Sequence, residues 1–199
     1  MGYTLNFAAV WRSFDLLLEG LALSLALGFG AIVMGAFIGL FTAFALNSQQ
    51  AVLRMPARLY VTIIRNTPIL VLVLFTYFAL PQLGLRLEKI QSFVITLSIY
   101  SGAYLAEIFR AGLLAIPRGQ REAGLAIGLT EMQIRTSIIL PLMFRNVLPS
   151  LGSTLISLFK DTSIAAAIAV PELTFEARKI NVETFRVIET WIVVSGLRR

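Results

Sequence analysis

This sequence of 199 residues contains no cysteine and no histidine. It can therefore form no disulfide, offers no thiolate nucleophile or imidazole base, and lacks the usual zinc ligands. Charge is scarce as well, at 14% of the chain, where an ordinary soluble domain has about 25%. No G-x-x-x-x-G-K-S/T stretch occurs, because Gly119, Gly124 and Gly128 are followed by no lysine. Without that phosphate cradle the chain hydrolyses no nucleotide by itself, and we expect no catalytic residues and no metal site.

Apolar residues are what the sequence has in excess, 57% of the total with a mean hydropathy of +0.82. So little polar surface cannot cover a folded chain in water, and a bilayer is the solvent that fits. The 17 Lys and Arg against 11 Asp and Glu, a net charge of +6, then read as loop placement rather than nucleic-acid affinity.

The expected architecture is all-α, a polytopic transmembrane helix bundle forming one domain over residues 1–199. About 20 apolar residues cross a hydrocarbon core of about 30 Å, and the uncharged run from Gly20 to Leu46 supplies the first span. Asp15 and Glu19 precede it and no basic segment opens the chain, which argues against a cleaved secretory signal. Gly20, Ser24 and Gly28, and then Ala31, Gly35 and Gly39, recur every four residues, a spacing that lets helix backbones approach closely within one subunit.

A second span fits Leu59–Leu80 despite Pro68, a third runs from Ile90 to about Ala106, and a fourth from Val147 to Val170, interrupted by Lys160 and Asp161. Phe185 to Leu197 is too short to cross alone, so the last helix reads as incomplete and five spans follow if it is completed. Arg54 and Arg58 after the first span, and Arg110, Arg118, Arg121, Arg135 and Arg145 after the third, place those connectors in the cytoplasm. The N-terminus is then outside and the C-terminus inside.

The connector 117–141 is organised. Pro117 can open a short helix, Gly128 can end it in the left-handed conformation, and Thr130 with Gln133 forms a capping box for the next. A DNA-binding helix-turn-helix shares this local pattern, but here the second helix runs into the apolar Ile138–Phe144 stretch and could not enter a groove.

Ser150, Ser153, Ser157 and Asp161 are spaced three, four and four residues apart, with Thr154 on the same side, so one helix face would carry them. A carboxylate among apolar residues is costly in lipid unless it faces a bundle interior or a water-filled cavity. Two readings stand for Asp161: a pathway group, or a structural one that pairs with Lys160 or caps a helix break with Thr162 and Ser163. Thr67 and Asn66 precede Pro68 at a possible helix break, where either a ligand contact or a structural turn would fit. Glu189 is a candidate pathway contact or the partner of Arg186 one turn earlier, and Glu107 and Arg110 can pair in the same way.

Glu122, Ala123 and Gly124, then Gly128, Ile138, Leu140 and Pro141, match the spacing E-A-A-x3-G-x9-I-x-L-P, with Gly124 in place of the second Ala. In this the sequence resembles the membrane permease subunits of bacterial ABC importers. The stretches RNTPILV from Arg65, EIFRAGLLAIPRGQREAG from Glu107 and ISLFKDTSIAAAI from Ile156 are similar to the polar amino acid uptake subfamily. The resemblance implies an inner-membrane permease in which the two short helices are a coupling element docked in a cleft of a separate ATPase subunit. ATP and Mg would be bound on that ATPase, so no cofactor is expected in this chain. A second permease, identical or related, would complete the pathway, and a periplasmic solute-binding protein would deliver the amino acid.

On this reading Glu122, Ala123, Gly124, Gly128 and Leu129 contact the ATPase, the small residues forming the contacting ridge while Arg121 and Glu122 are satisfied by the partner or by water. The substrate pathway would take Asp161, Ser157, Thr154, Thr162, Ser163, Thr67 and Glu189. Two other classes compete. An ion-coupled carrier of small polar solutes would protonate Asp161 or bind Na⁺ there, but no internal repeat suggests its two halves. A scaffold that merely recruits a cytoplasmic partner has no use for polar groups inside a bilayer.

Overall fold

The computed structural model describes residues 4–197, and among them every regular element is helical. The α-helices, in chain order, are α1 (Ala8–Arg12), α2 (Phe14–Leu46), α3 (Ala51–Asn66), α4 (Ile69–Leu74), α5 (Lys89–Leu114), α6 (Arg118–Ala126), α7 (Glu131–Ile134), α8 (Leu140–Lys160), α9 (Leu173–Thr184) and α10 (Val187–Leu197), with π or 3-10 stretches between some of them. Three continuous helical stretches are long and apolar enough to cross a membrane: Phe14–Leu46, Lys89–Leu114 and Glu131–Ile168.

The second span differs from the expectation. Leu59–Leu80 is not one helix: the chain breaks after Asn66 and turns by 104° between Ala51–Asn66 and Ile69–Leu83. The cause is Pro68, which drives the preceding Thr67 into an extended conformation (φ −106°, ψ 128°) and stops the helix there. Counted as one broken span, this pair gives a fourth crossing, while Val187–Leu197, at 11 residues, is shorter than a crossing requires.

Two prolines leave the same local signature. Pro81 and Pro141 each follow a π-helical turn, Phe75–Ala79 and Arg135–Ile139. A proline has no N–H for the carbonyl four residues back and its ring crowds that carbonyl; a widened turn relieves the conflict, after which α8 continues past Pro141, whereas the stretch at Pro81 tightens to a 3-10 turn and ends at Leu83.

The described chain forms two compact units. The first comprises residues 4–31, 69–97 and 159–197 and has its core at Val10, Leu17, Leu173, Ala177, Ile180 and Val194. In it a Cβ at Gly20 would stand 2.9 Å from the Leu173 backbone nitrogen, and one at Gly28 2.9 Å from the Phe159 ring. Ser24, between them, donates to Glu172 Oε2 at 3.1 Å and accepts the Leu173 N–H at 3.2 Å. The second unit comprises residues 32–68 and 98–158, with a core of Ala43, Leu105, Phe109, Leu113, Met143, Val147 and Leu158. There a Cβ at Gly39 would come within 2.9 Å of Leu105 Cβ. The four-residue spacing of small residues on α2 thus serves close packing in both units, as expected.

Candidate functional site: a short-helix pair and a sparsely covered polar span

The helix pair forms by local rules. Gly128 has φ 85°, the Leu129 N–H reaches back to the Gly124 carbonyl at 3.0 Å, and the Gly128 N–H to the Leu125 carbonyl at 3.0 Å. Those two bonds are a Schellman closure, which uses carbonyls that α6 would otherwise leave bare. Two residues on, Gln133 N–H donates to Thr130 Oγ1 at 3.3 Å and Thr130 N–H to Gln133 Oε1 at 2.8 Å, so the expected capping box is present.

The pair also has a tertiary seam that local rules do not contain. A Cβ on Gly124 would lie 2.8 Å from Ile134 and 3.1 Å from Ile138, and Gly124 is buried. Its small size is therefore used inside the pair, where α6 meets the start of the next helix, and the idea that Gly124 belongs to an outward ridge is corrected. Arg121 pairs with Glu131 across the turn, so it too is satisfied within the chain. Glu122, Ala123 and Gly128 remain exposed and Leu129 is half-buried. Outward-facing apolar side chains are Leu125, Ile127, which is 76% exposed, and Met132. A cleft of about 1470 Å³ opens beside the pair, lined among others by Asn47, Gln50, Leu53, Arg118, Glu122 and Arg135.

The polar span contrasts with this. Glu131–Ile168 has the least burial of the three spanning stretches, 11% of its most apolar window against 61% for Lys89–Leu114. On α8, Ser150, Ser153 and Ser157 are exposed and Thr154 is half-buried. The segment does not continue as α-helix to Val170: it tightens to a 3-10 helix over Asp161–Ile168, and Ala169 closes it at φ 56°. In the 3-10 stretch Thr162 Oγ1 donates to the Phe159 carbonyl at 2.8 Å and Ser163 Oγ to the Lys160 carbonyl at 2.8 Å. Asp161 is half-exposed and pairs neither with Lys160 nor with any other described residue; at the helix break the Thr162 and Ser163 hydroxyls, not its carboxylate, bond to the carbonyls.

The remaining candidates are taken up by the fold. Thr67 Oγ1 donates to the Ile63 carbonyl at 2.8 Å and Asn66 Nδ2 to the Thr62 carbonyl at 2.7 Å, which satisfies carbonyls bared where α3 ends. Glu189 is fully buried, accepts the Asn6 N–H at 2.9 Å and lies 3.3 Å from Arg186 Nη1, so of its two readings the pairing with Arg186 is the one observed. Glu107 and Arg110 pair at 2.7 Å as expected.

One buried acid had no sequence signal. Glu172 is fully buried and caps α9 by accepting the Phe175 N–H at 3.0 Å, while Ser24, 148 residues away, holds its other oxygen. A carboxylate out of water needs such donors, and only the packed fold could supply the second.

Residues 35–197 match the family model described as binding-protein-dependent transport system inner membrane component. The glutamine transport system permease protein GlnP of Escherichia coli (strain K12) is 40% identical over 192 residues, 96% of this chain and 88% of that protein. The L-cystine transport system permease protein TcyB of Bacillus subtilis (strain 168) is 38% identical over 182 residues, 91% of this chain and 78% of that protein. Among solved structures, that of an amino acid ABC transporter with histidines superimposes with a TM-score of 0.88 at 34% identity, covering 98% of this chain and 92% of that one.

Proposed function

We propose a polar amino acid as the cargo of this chain, which belongs to the family of binding-protein-dependent transport system inner membrane components and is a permease subunit of an ATP-driven importer. The observation that carries the cargo reading is the polarity of the least covered span. Ser150, Ser153 and Ser157 are exposed on α8, and Asp161 follows with no partner among the described residues. The Ser150 and Ser153 hydroxyls donate to the Val147 and Ser150 carbonyls, so the group that is costly against lipid is Asp161, and something polar covers it: water and a zwitterion in a pathway, closed from the far side by a second permease chain. Asp161 then receives the positive α-ammonium, with half-buried Ser163 as its polar neighbour in the 3-10 stretch, while Thr154 and Ser157 give α8 a neutral polar face; Thr162 is fully buried and bonded to the Phe159 carbonyl, so it lines nothing. That glutamine and cystine name the cargo of two relatives supports the substrate class, since both molecules carry that ammonium.

The rest of the machine follows from the helix pair. Its outward Leu125, Ile127 and Met132 with exposed Glu122 and Ala123 suit insertion into a cleft of a separate ATPase, which binds ATP and Mg and does the chemistry. A solute-binding protein delivers the amino acid on the opposite side. Arginine-rich connectors support a cytoplasmic helix pair, an external N-terminus and a cytoplasmic C-terminus in a bacterial inner membrane.

The test is reconstitution. Vesicles holding this permease with its ATPase and loaded binding protein should accumulate the amino acid when ATP is supplied, and vesicles holding the permease alone should not, whatever ion gradient is imposed. Uptake driven by a proton or Na⁺ gradient without the ATPase would establish the ion-coupled carrier instead.

A further inference from the structure

Two motifs of the sequence have no part in the coupling pair or in the polar span: Arg65 of RNTPILV and Glu107 with Arg110 of EIFRAG. The second unit brings them together. Val61, Thr62, Arg65 and Asn66 of α3 and Tyr104 and Glu107 of α5 line one cavity of about 390 Å³. Tyr60 donates to the Ile99 carbonyl at 2.5 Å, which fixes α3 against the middle of a membrane-crossing helix.

The charges in this cavity do not cancel. Both oxygens of Glu107 are taken by Arg110, whose Nε lies 3.3 Å from Oε1 and 3.2 Å from Oε2, with Nη2 2.7 Å from Oε2. That pair is neutral as a unit. Arg65 has no carboxylate partner among the described residues; its guanidinium carbon stands 5.2 Å from the centre of the Tyr104 ring. This cation–π contact spends none of the guanidinium N–H groups on a carboxylate, and Arg65 is exposed, so its fork is open to bind one through two parallel hydrogen bonds. Asn66 Nδ2 donates to the Thr62 carbonyl, and its side-chain oxygen accepts no hydrogen bond from a described residue. A guanidinium held in place by an aromatic ring, with a neutralised acid beside it and a cavity in front, is an anion receptor, and an unpaired cation beside a membrane span is tolerable only if such a cavity is wet.

We infer that the Arg65 cavity is a carboxylate-binding station of the permease, which takes the α-carboxylate of the transported amino acid on its way through. This rests on the amino acid importer reading and adds to it a second recognised group, at residues distinct from Asp161. A phosphate of an anionic lipid has related chemistry and is separated by the test below.

The experiment uses the purified permease–ATPase complex in phosphatidylcholine nanodiscs, with L-glutamine and its α-amide, L-glutaminamide, as calorimetric probes in the absence of binding protein. L-glutamine is expected to bind the wild type, the α-amide about tenfold or more weakly, and Arg65→Gln should weaken L-glutamine by a similar factor while leaving the α-amide unchanged. Arg65→Lys, which keeps the charge and loses the fork, should fall between. In proteoliposomes with the loaded binding protein, Arg65→Gln should keep ATPase stimulation and raise the KM for uptake; a residue that only held the helices would lower stimulation and uptake together. Tyr104→Leu removes the stacking surface and should weaken L-glutamine less than Arg65→Gln does.

Equal L-glutamine affinity in wild type and Arg65→Gln, or equal affinity for acid and amide in the wild type, overturns the inference. So does a dependence on residue 65 that appears only when phosphatidylglycerol is added, which would make the cavity a lipid phosphate site. If the wild-type complex imports no amino acid at all, the importer reading itself fails; unchanged uptake by Arg65→Gln beside an active wild type defeats the carboxylate station alone.

Discussion

The short-helix pair and the span after it are adjacent in sequence and opposite in character. Between Arg118 and Ile138 the pair closes on itself: carbonyls are capped, Gly124 is covered by Ile134, and Arg121 is paired with Glu131. What it shows outward is apolar, Ile127 and Met132 above all. From Ser150 to Asp161 the chain does the reverse, and leaves hydroxyls and a carboxylate uncovered in a segment apolar enough to span a membrane. A self-contained unit with an apolar tip suits rigid docking, because its shape survives binding. A polar face whose Ser150 and Ser153 hydroxyls bond only back to the Val147 and Ser150 carbonyls, and whose Asp161 has no partner among the described residues, suits a passage, because its oxygens can still accept bonds from something that comes and goes.

The largest effect that can test this contrast is expected at Gly124. A Trp there would collide with Ile134 and Ile138, so Gly124→Trp should pull the pair apart, abolish ATPase association in a pull-down and eliminate coupled uptake, with the spans still inserted. If the pair tolerates Trp, its closure on itself is wrong. Ile127→Asp leaves that seam alone and tests the outward tip: losing the burial of one large apolar side chain, about 1.5–3 kcal/mol, should weaken ATPase affinity by roughly tenfold or more while the helix content stays constant. Unchanged affinity would move the docking surface elsewhere.

On the other side of the contrast, Asp161→Asn keeps the volume and removes the charge. A charge-assisted hydrogen bond of about 1.5–3 kcal/mol lost should lower transport by about tenfold, in a complex of normal subunit content. Transport at wild-type rate and affinity would return Asp161 to a structural role. Gly128→Ala should be milder, because the left-handed turn then costs about 1–2 kcal/mol in a region with open space around it. The measurement is thermal stability of the complex together with ATPase stimulation, and an unshifted melting point would mean that the turn can change its conformation. Ser157→Ala is expected to have the smallest effect, a change in uptake of about threefold or less, as one neutral hydroxyl among several; a tenfold loss would make Ser157 a principal ligand.

The two regions also differed in how readily they could be read. Thr130 with Gln133 and the left-handed Gly128 were evident from residue order, since each bond spans at most five residues and depends only on local side chains and local backbone conformation. Glu107–Arg110 and Arg186–Glu189 were evident for the same reason, being one helical turn apart. Pro68 was visible as an irregularity, yet the 104° turn it produces was not, because a proline in a span can kink a helix or end it according to what surrounds it. The direction in which Gly124 points was misread as outward for a related reason: small size permits close approach by any neighbour, and the sequence does not say which neighbour arrives.

Residue order by itself determined that this chain needs a bilayer, that it is helical, that it contains neither Cys nor His, and that a capped pair of short helices sits at residues 117–141. Those conclusions rest on composition and on interactions within a few residues, which the chain carries wherever it folds. Only the tertiary structure decided that Glu172 meets Ser24 across 148 residues, that Arg65 lies over Tyr104 beside Glu107, and that α8 is left largely uncovered. Each of these depends on which helix faces which, and that is set by the sum of many small packing contacts that no single stretch of sequence contains.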